Sequence, residues 1–185
     1  MNLILFGIQG SGKGTQAKIL AERFNLAICE AGSQLRAIAS QDSELGKKVK
    51  SLIEAGKLVP DEIIIEIVKN FIEKTEPGKN ILFDGIPRRD IQKVALNELL
   101  KKTDREYIAI FIDVPEEEVL KRLISRGRND DNELSIKTRL KSYFDETLPL
   151  IKEYENLGKL IRVNGFQNIE KVAEEISNSI SKYYV

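Results

Sequence analysis

Gly7-Ile8-Gln9-Gly10-Ser11-Gly12-Lys13-Gly14-Thr15-Gln16 sets four glycines around one lysine, directly after the apolar run Leu3-Ile4-Leu5-Phe6. Glycine tolerates positive φ and close backbone approach, so such a loop can turn successive N–H groups inward as a nest for an anion. Lys13 adds a point charge to that nest. The following Gly14-Thr15-Gln16-Ala17-Lys18-Ile19-Leu20 has a helical pattern, which places the nest at a helix N-terminus whose dipole also favours negative charge. Strand, loop and helix make a phosphate cradle, with Gly10, Ser11, Gly12, Lys13, Gly14 and Thr15 as its candidate contacts. The alternative is a glycine-rich turn without a ligand; position, lysine and flanking elements agree on the phosphate.

The spacing of first glycine, four residues, then Gly12-Lys13 fits the P-loop formula, with Gly14 where Ser or Thr is usual and the hydroxyl one place later at Thr15. Arginines gather at two further places, and a guanidinium fork suits phosphate because it donates two parallel hydrogen bonds. Asp84-Gly85-Ile86-Pro87-Arg88-Arg89-Asp90-Ile91-Gln92 follows an apolar run, so Asp84 is expected at the same strand-end edge as the glycine loop. Arg88 and Arg89 then stand at a helix start, where the dipole disfavours cations by roughly a few tenths of a kcal/mol. A bound anion reverses that penalty; solvated arginines compensated by Asp90 are the alternative. Arg122 and Arg126 lie four apart on one helical face, a slightly destabilising pair. Arg128 follows across Gly127, and Arg139 lies one helix further on. This second cluster also admits a structural reading, since cations near a helix C-terminus meet a favourable dipole.

The elements that must position these groups alternate in type. Apolar runs at 3–6, 27–29, 81–83, 107–112 and 160–163 have the continuous character of buried parallel strands. Helical patterns occupy 13–24, 62–72, 88–101, 116–125, 135–156 and 168–183. Alternation of this kind indicates βαβ units and an open sheet covered on both faces, with ligands at the carboxyl ends of the strands. Two short helical stretches, around 34–40 and 44–55, stand where a direct crossover needs one. They read as an insertion able to close over a ligand. The polar run Gly127-Arg128-Asn129-Asp130-Asp131-Asn132-Glu133 separates two helices and is too short to fold alone.

Composition removes several classes of function. The 185 residues suit one domain of ordinary size, and 29 basic residues balance 29 acidic ones, so the global field gives no reason to expect nucleic acid or an anionic membrane as partner. No apolar stretch approaches the roughly 18 residues a membrane span needs, and the N-terminus begins with a core strand; the expectation is a cytoplasmic protein. One cysteine, Cys29, and no histidine exclude an internal disulfide and a Cys/His cluster for zinc. Cys29 is expected to be a buried strand residue. The commonest general base is missing too. Phosphoryl transfer survives this exclusion, because it rests on positioning and on charge stabilisation by Lys, Arg and Mg²⁺.

The GKGTQ variant of the loop, DGIPR with Gln92, and the later arginines resemble the nucleoside monophosphate kinases, adenylate kinase in particular, over nearly the whole chain. The resemblance implies phosphoryl transfer from MgATP to AMP giving two ADP, with Mg²⁺ held by the nucleotide and by waters near Thr15 and Asp84. In that family DG-aromatic-PR, three residues and Gln bind AMP: Arg88 matches the α-phosphate ligand and Gln92 the adenine reader, while Ile86 replaces the aromatic between Gly85 and Pro87. Arg122, Arg126, Arg128, Asp130, Asp131 and Arg139, with Tyr143 and Thr147-Leu148-Pro149-Leu150 beyond, resemble the lid segment of short-form members. Carried over, Arg122 stacks on the ATP adenine and Arg126 contacts ATP phosphates. Arg128 and Arg139 bridge the phosphoryl group in flight, and Asp130 and Asp131 hold the closed lid. Cys29-Glu30-Ala31-Gly32-Ser33-Gln34-Leu35-Arg36 lies where the family has an AMP-binding motif; Arg36 is implied as a second phosphate ligand and Ala31 as a base contact. Lys57, Leu58 and Val59 fall in the segment lining the AMP base, and Gln167 in the loop that meets the ATP adenine.

The expectation is therefore an α/β fold: a P-loop NTPase three-layer sandwich with a five-stranded parallel sheet flanked by helices. One kinase domain spans 1–185, with its core in 1–29, 60–126 and 135–185, an AMP-binding insertion at 30–59 and a minimal lid at 127–134. A monomer is expected. Three readings compete with the AMP kinase. Ala31 is usual in UMP/CMP kinases, whereas a Gln amide both donates to and accepts from an adenine edge; Gln92 outweighs Ala31. A non-catalytic ATP-binding regulator has no evident need for Arg36, Arg88 and Gln92. The lid, with only Gly127, Arg128 and Asn129 between Arg126 and Asp130, would also permit ATP hydrolysis if it excluded water poorly.

Overall fold

The apolar runs form strands, each extended by one residue: β1 (Asn2–Phe6), β2 (Ala27–Glu30), β3 (Ile81–Asp84), β4 (Tyr107–Asp113) and β5 (Leu160–Asn164). The computed structural model describes residues 1–126 and 132–184, Arg126 by its backbone alone. The strands make one parallel sheet in the order β2-β3-β1-β4-β5. Every residue of β1 and β3 is buried, as an inner parallel strand covered on both faces requires. Leu3, Ile4, Leu82, Phe83 and Ile110 are wholly inaccessible and form the centre of the core.

Helix α1 (Lys13–Phe24) follows β1; α2 (Ala31–Ala39), α3 (Glu44–Glu54) and α4 (Asp61–Lys74) lie between β2 and β3; α5 (Asp90–Lys102) joins β3 to β4. Then come α6 (Glu116–Arg126), α7 (Glu133–Ser142) and α8 (Leu148–Asn156) before β5, and α9 (Ile169–Ile180) after it. The chain leaves β1 towards β2 but leaves the adjacent β3 towards β4, on the other side of the sheet order. Such a divergence opens a crevice at the carboxyl ends of the strands. Leu5 stands in register with Asp84, so the glycine loop and the Asp84 loop leave the sheet side by side.

Three differences from the sequence expectation bear on the site. Helix α2 begins at Ala31, three residues early. Helix α5 begins at Asp90, two residues late, because Arg89 is extended (φ −132°, ψ 160°); Arg88 and Arg89 therefore precede the helix. The single helix expected over 135–156 is interrupted by a π-helical turn, Tyr143–Thr147, with the Leu148 N–H donating to the Tyr143 carbonyl five residues back. Pro149, in the first turn of α8, supplies the reason: in an α-helix it lacks the N–H and its ring meets the carbonyl four residues earlier. The wider i→i+5 turn removes that clash.

Candidate active site

The glycine loop is shaped by steric necessity. A Cβ on Gly7 would stand 2.6 Å from Ser11 Oγ and 2.9 Å from the Ile112 carbonyl, and Gly12, which caps α1, has φ +96°. Thr15 and Gln16 N–H both donate to the Gly12 carbonyl at 3.0 Å, starting the helix, and helix geometry leaves its first N–H groups without intrahelical acceptors. Lys13 Nζ curls back onto the loop, donating to the carbonyls of Gly7 (2.7 Å) and Ile8 (3.0 Å). Inside the loop Ser11 Oγ is buried, with no hydrogen-bond partner among the described residues.

Lys13 faces two arginines across one cleft. Its walls include Leu5, Gly7 and Lys13 from the β1 side, Gly85, Pro87 and Arg88 from the β3 side, and Arg139 and Tyr143 from α7 and the turn after it; the cleft is open to solvent. The half-buried Arg88 donates Nε–H to the Gly85 carbonyl at 3.1 Å. Desolvation lowers its pKa from the ordinary guanidinium value, with nearby Arg139 adding to the effect and Asp84 opposing it; an arginine stays charged regardless. Arg139 Nη2 donates to the Ile53 carbonyl at 3.3 Å, tying α7 to the end of α3. Asp84 is buried at the edge of this cleft, with Oδ2 3.6 Å from where a Cβ on Gly14 would stand.

The proposed acceptor-base residues lie on the β2 and β3 side. Ala31 is buried, 3.9 Å from the Cβ position of Gly85, and Ile86 and Val59 are buried as well. Leu58 reaches the cleft and Lys57 is exposed. Arg36 is held by Glu30 at 3.1 Å and Ser33 Oγ at 3.2 Å. Gln92 is buried, and its amide is engaged at both ends: Oε1 accepts from the Arg88 N–H at 2.8 Å and Nε2 donates to Asp61 Oδ1 at 2.7 Å. Thr147, on the π turn, donates its hydroxyl to the Arg88 carbonyl at 3.1 Å.

On the far side of the glycine loop, Arg122 donates Nε–H to Glu118 at 2.8 Å and its other nitrogens approach the Gly165 carbonyl at 3.4 and 3.5 Å. The loop holding Gln167 is thus drawn against Arg122. Gln167 itself is tied back to Asn164 O and Glu175. The side chain of Arg126, and Arg128, Asp130 and Asp131, lie outside the described residues. Cys29 is buried in β2, where burial pushes its thiol up to about 12.

Sequence reasoning missed Asp61 and Glu146, and offered Arg89 as an arginine suited either to an anion or to compensation by Asp90. Arg89 carries no open anion site: Nη1 meets Asp61 Oδ2 at 3.0 Å and Nε meets Glu146 at 2.7 Å, the latter an ion pair whose N–H does not point at the oxygen. An acid in the first turn of a helix is ordinary, so nothing in the sequence marked Asp61 as a hub. Among the described residues no group of three or more His, Cys, Asp or Glu side chains is placed to hold a metal ion, and no helix is long and apolar enough to cross a membrane.

The family model described as "Adenylate kinase" matches residues 5–159. Among curated proteins, the adenylate kinase of Phocaeicola vulgatus is 39% identical over 187 aligned residues, covering 98% of this chain and 99% of its own. Those of Corynebacterium urealyticum and Leptospira biflexa are each 39% identical over 183 residues, covering 98% and 96% of this chain and 100% and 98% of their own.

Proposed function

Because the chain belongs to the adenylate kinase family, and so transfers a phosphoryl group reversibly between ATP and AMP to give two ADP, we propose that the transfer runs in the cleft between the β1 and β3 loops. The observation that carries this reading is the convergence of Lys13, Arg88 and Arg139 on that one cleft. ATP phosphates lie in the glycine loop against Lys13 and the first N–H groups of α1. The ATP base rests between Arg122 and the loop of Gln167. The AMP phosphate is held by Arg88, with Arg36 reaching it on exchange of its Glu30 contact. Phosphoryl transfer has a loose transition state with charge spread over the equatorial oxygens, and preorganised cations around that charge are the main catalytic resource of such a site. Arg139, on the opposite wall from Lys13, stands where the group in flight passes.

The donor set at the loop suits Mg²⁺ brought in with ATP: Asp84 and Thr15 are hard oxygen donors flanking the same turn, and a cation that keeps most of its waters needs no protein cage. When bound, it neutralises phosphate charge. Residues 30–59 act as the AMP-binding insertion and 127–134 as a minimal lid with Arg126, Arg128, Asp130 and Asp131. The enzyme works as a cytoplasmic monomer.

Steady-state kinetics with each nucleotide varied in turn test the assignment. Arg88→Ala is expected to raise KM for AMP and lower kcat while leaving KM for ATP near the wild-type value, and Arg122→Ala to raise KM for ATP alone. The reverse pattern would place the two nucleotides on the wrong sides of the sheet.

A further inference from the structure

The Gln92 amide has two orientations of nearly equal shape and opposite polarity, and its two neighbours accept only one of them. Asp61 is acceptor-only while ionised and takes the Nε2 proton at 2.7 Å; the Arg88 N–H is donor-only and gives to Oε1 at 2.8 Å. Turning the amide over would set Oε1 against a carboxylate and Nε2 against an N–H. Asp61 is itself fixed: it is 8% exposed, opens α4, and its second oxygen holds Arg89 at 3.0 Å. Arg89 is in turn paired with Glu146 of the π turn.

We propose that Asp61 is a specificity-positioning residue: with the Arg88 N–H it locks the Gln92 amide, so that the edge offered to the acceptor base carries its donor and acceptor in a fixed order. This rests on the reading of Gln92 as the base contact and adds what orients it. Each end of the amide retains capacity, one proton on Nε2 and one lone pair on Oε1. An adenine edge complements that pair, its 6-amino group donating and its ring nitrogen accepting. A 6-oxo purine accepts at the 6-position and carries a proton at N1, the order that only the reversed amide would satisfy. The lock therefore selects the 6-amino purine monophosphate by rejecting the 6-oxo one.

The test is kcat/KM for AMP divided by that for IMP in the intact enzyme and in Asp61→Asn, Asp61→Glu and Gln92→Leu. Asparagine has nearly the shape of aspartate, but its amide can donate as well as accept, so the reversed Gln92 is tolerated on that side. The ratio is expected to fall by about tenfold or more, the scale of one buried hydrogen bond left unmade. The change should come through KM for both nucleotides, with kcat for AMP altered less. Asp61→Glu, still acceptor-only, is expected to recover most of the ratio, which a merely structural role would not require. If Asp61→Asn does not fold, Asp61→Gln set against Asp61→Glu makes the same comparison at equal length, an amide that can donate against a carboxylate that only accepts, and an equal ratio in the two overturns the lock. A ratio that collapses in Gln92→Leu but stays at wild type in Asp61→Asn overturns the lock while leaving Gln92 as the reader. A ratio unmoved in Gln92→Leu, or near one in the wild type, overturns the base reading and the lock with it.

Discussion

Thr147→Val isolates the contribution of the π turn to the site. Valine keeps the branched shape and removes only the hydroxyl that donates to the Arg88 carbonyl at 3.1 Å. Thr147 is 7% exposed, so little water can replace it directly. A net hydrogen bond contributes about 0.5–1.5 kcal/mol, and an orphaned buried acceptor costs about 1–3 kcal/mol. The two ranges overlap at about 1 kcal/mol, the figure taken here. That corresponds to a drop of about 2–4 °C in Tm for a domain of this size. If the same free energy is lost from the placement of Arg88, KM for AMP rises about fivefold with kcat little changed. Urea unfolding and initial rates at saturating ATP measure the two quantities. Thr147→Ser is the control: it keeps the hydroxyl but loses a methyl group, about 0.8 kcal/mol, so its stability falls while KM stays. A valine variant with wild-type KM, or a serine variant with raised KM, would refute the tether.

Lys13→Ala should reduce turnover by about two to three orders of magnitude, the cost of removing one preorganised charge donor, while thermal unfolding remains cooperative; loss of the fold would mean that the Lys13 contacts to Gly7 and Ile8 are structural first. Cys29, with its thiol pushed up by burial from an ordinary 9.0 to about 12, favours the neutral form when folded, so its contribution is complete below pH 9 and is lost as pH rises towards 12. Cys29→Val should therefore lessen, without abolishing, the alkaline loss of stability followed by fluorescence, since Tyr143, also pushed up to about 12, keeps its share; in the wild type, a disulfide reagent at pH 8 should react only as the chain unfolds.

The strands and the glycine loop were legible because each is written in neighbouring residues. Five apolar runs could only be buried strands, and Lys13 follows its glycines directly. Arg88, Arg122 and Arg139 were found by residue type and spacing, and the fold brings Arg88 and Arg139 together although 51 positions separate them in the chain. What escaped was the set of contacts between distant segments. Asp61, Gln92, Arg88 and Thr147 form one hydrogen-bonded chain drawn from four elements or their edges, and no local pattern encodes which polar side chain satisfies which buried group. Arg89 was misread for the same reason: its position before a helix suggested an anion, whereas Asp61 and Glu146 reach it from elsewhere. The π turn did leave a signal in Pro149, but a periodicity that holds on both sides of a single extra residue conceals it.

The manner in which the cleft cations are held bears on how such a site works. Lys13, Arg88 and Arg139 each donate to a backbone carbonyl, from Gly7 and Ile8, Gly85 and Ile53 respectively. A carbonyl oxygen fixes the direction in which a cation points. Arg36, Arg89 and Arg122 meet carboxylates, at Glu30, Asp61 with Glu146, and Glu118. Carboxylate pairing suits groups that orient loops or exchange a partner as an anion arrives, since an approaching phosphate competes for the same fork. The carbonyls come from the ends of β1, β3 and α3, which are positioned by the sheet and by the helices between β2 and β3. Precision at the reacting atoms is thus inherited from strand register, Leu5 against Asp84, more than from the side chains themselves.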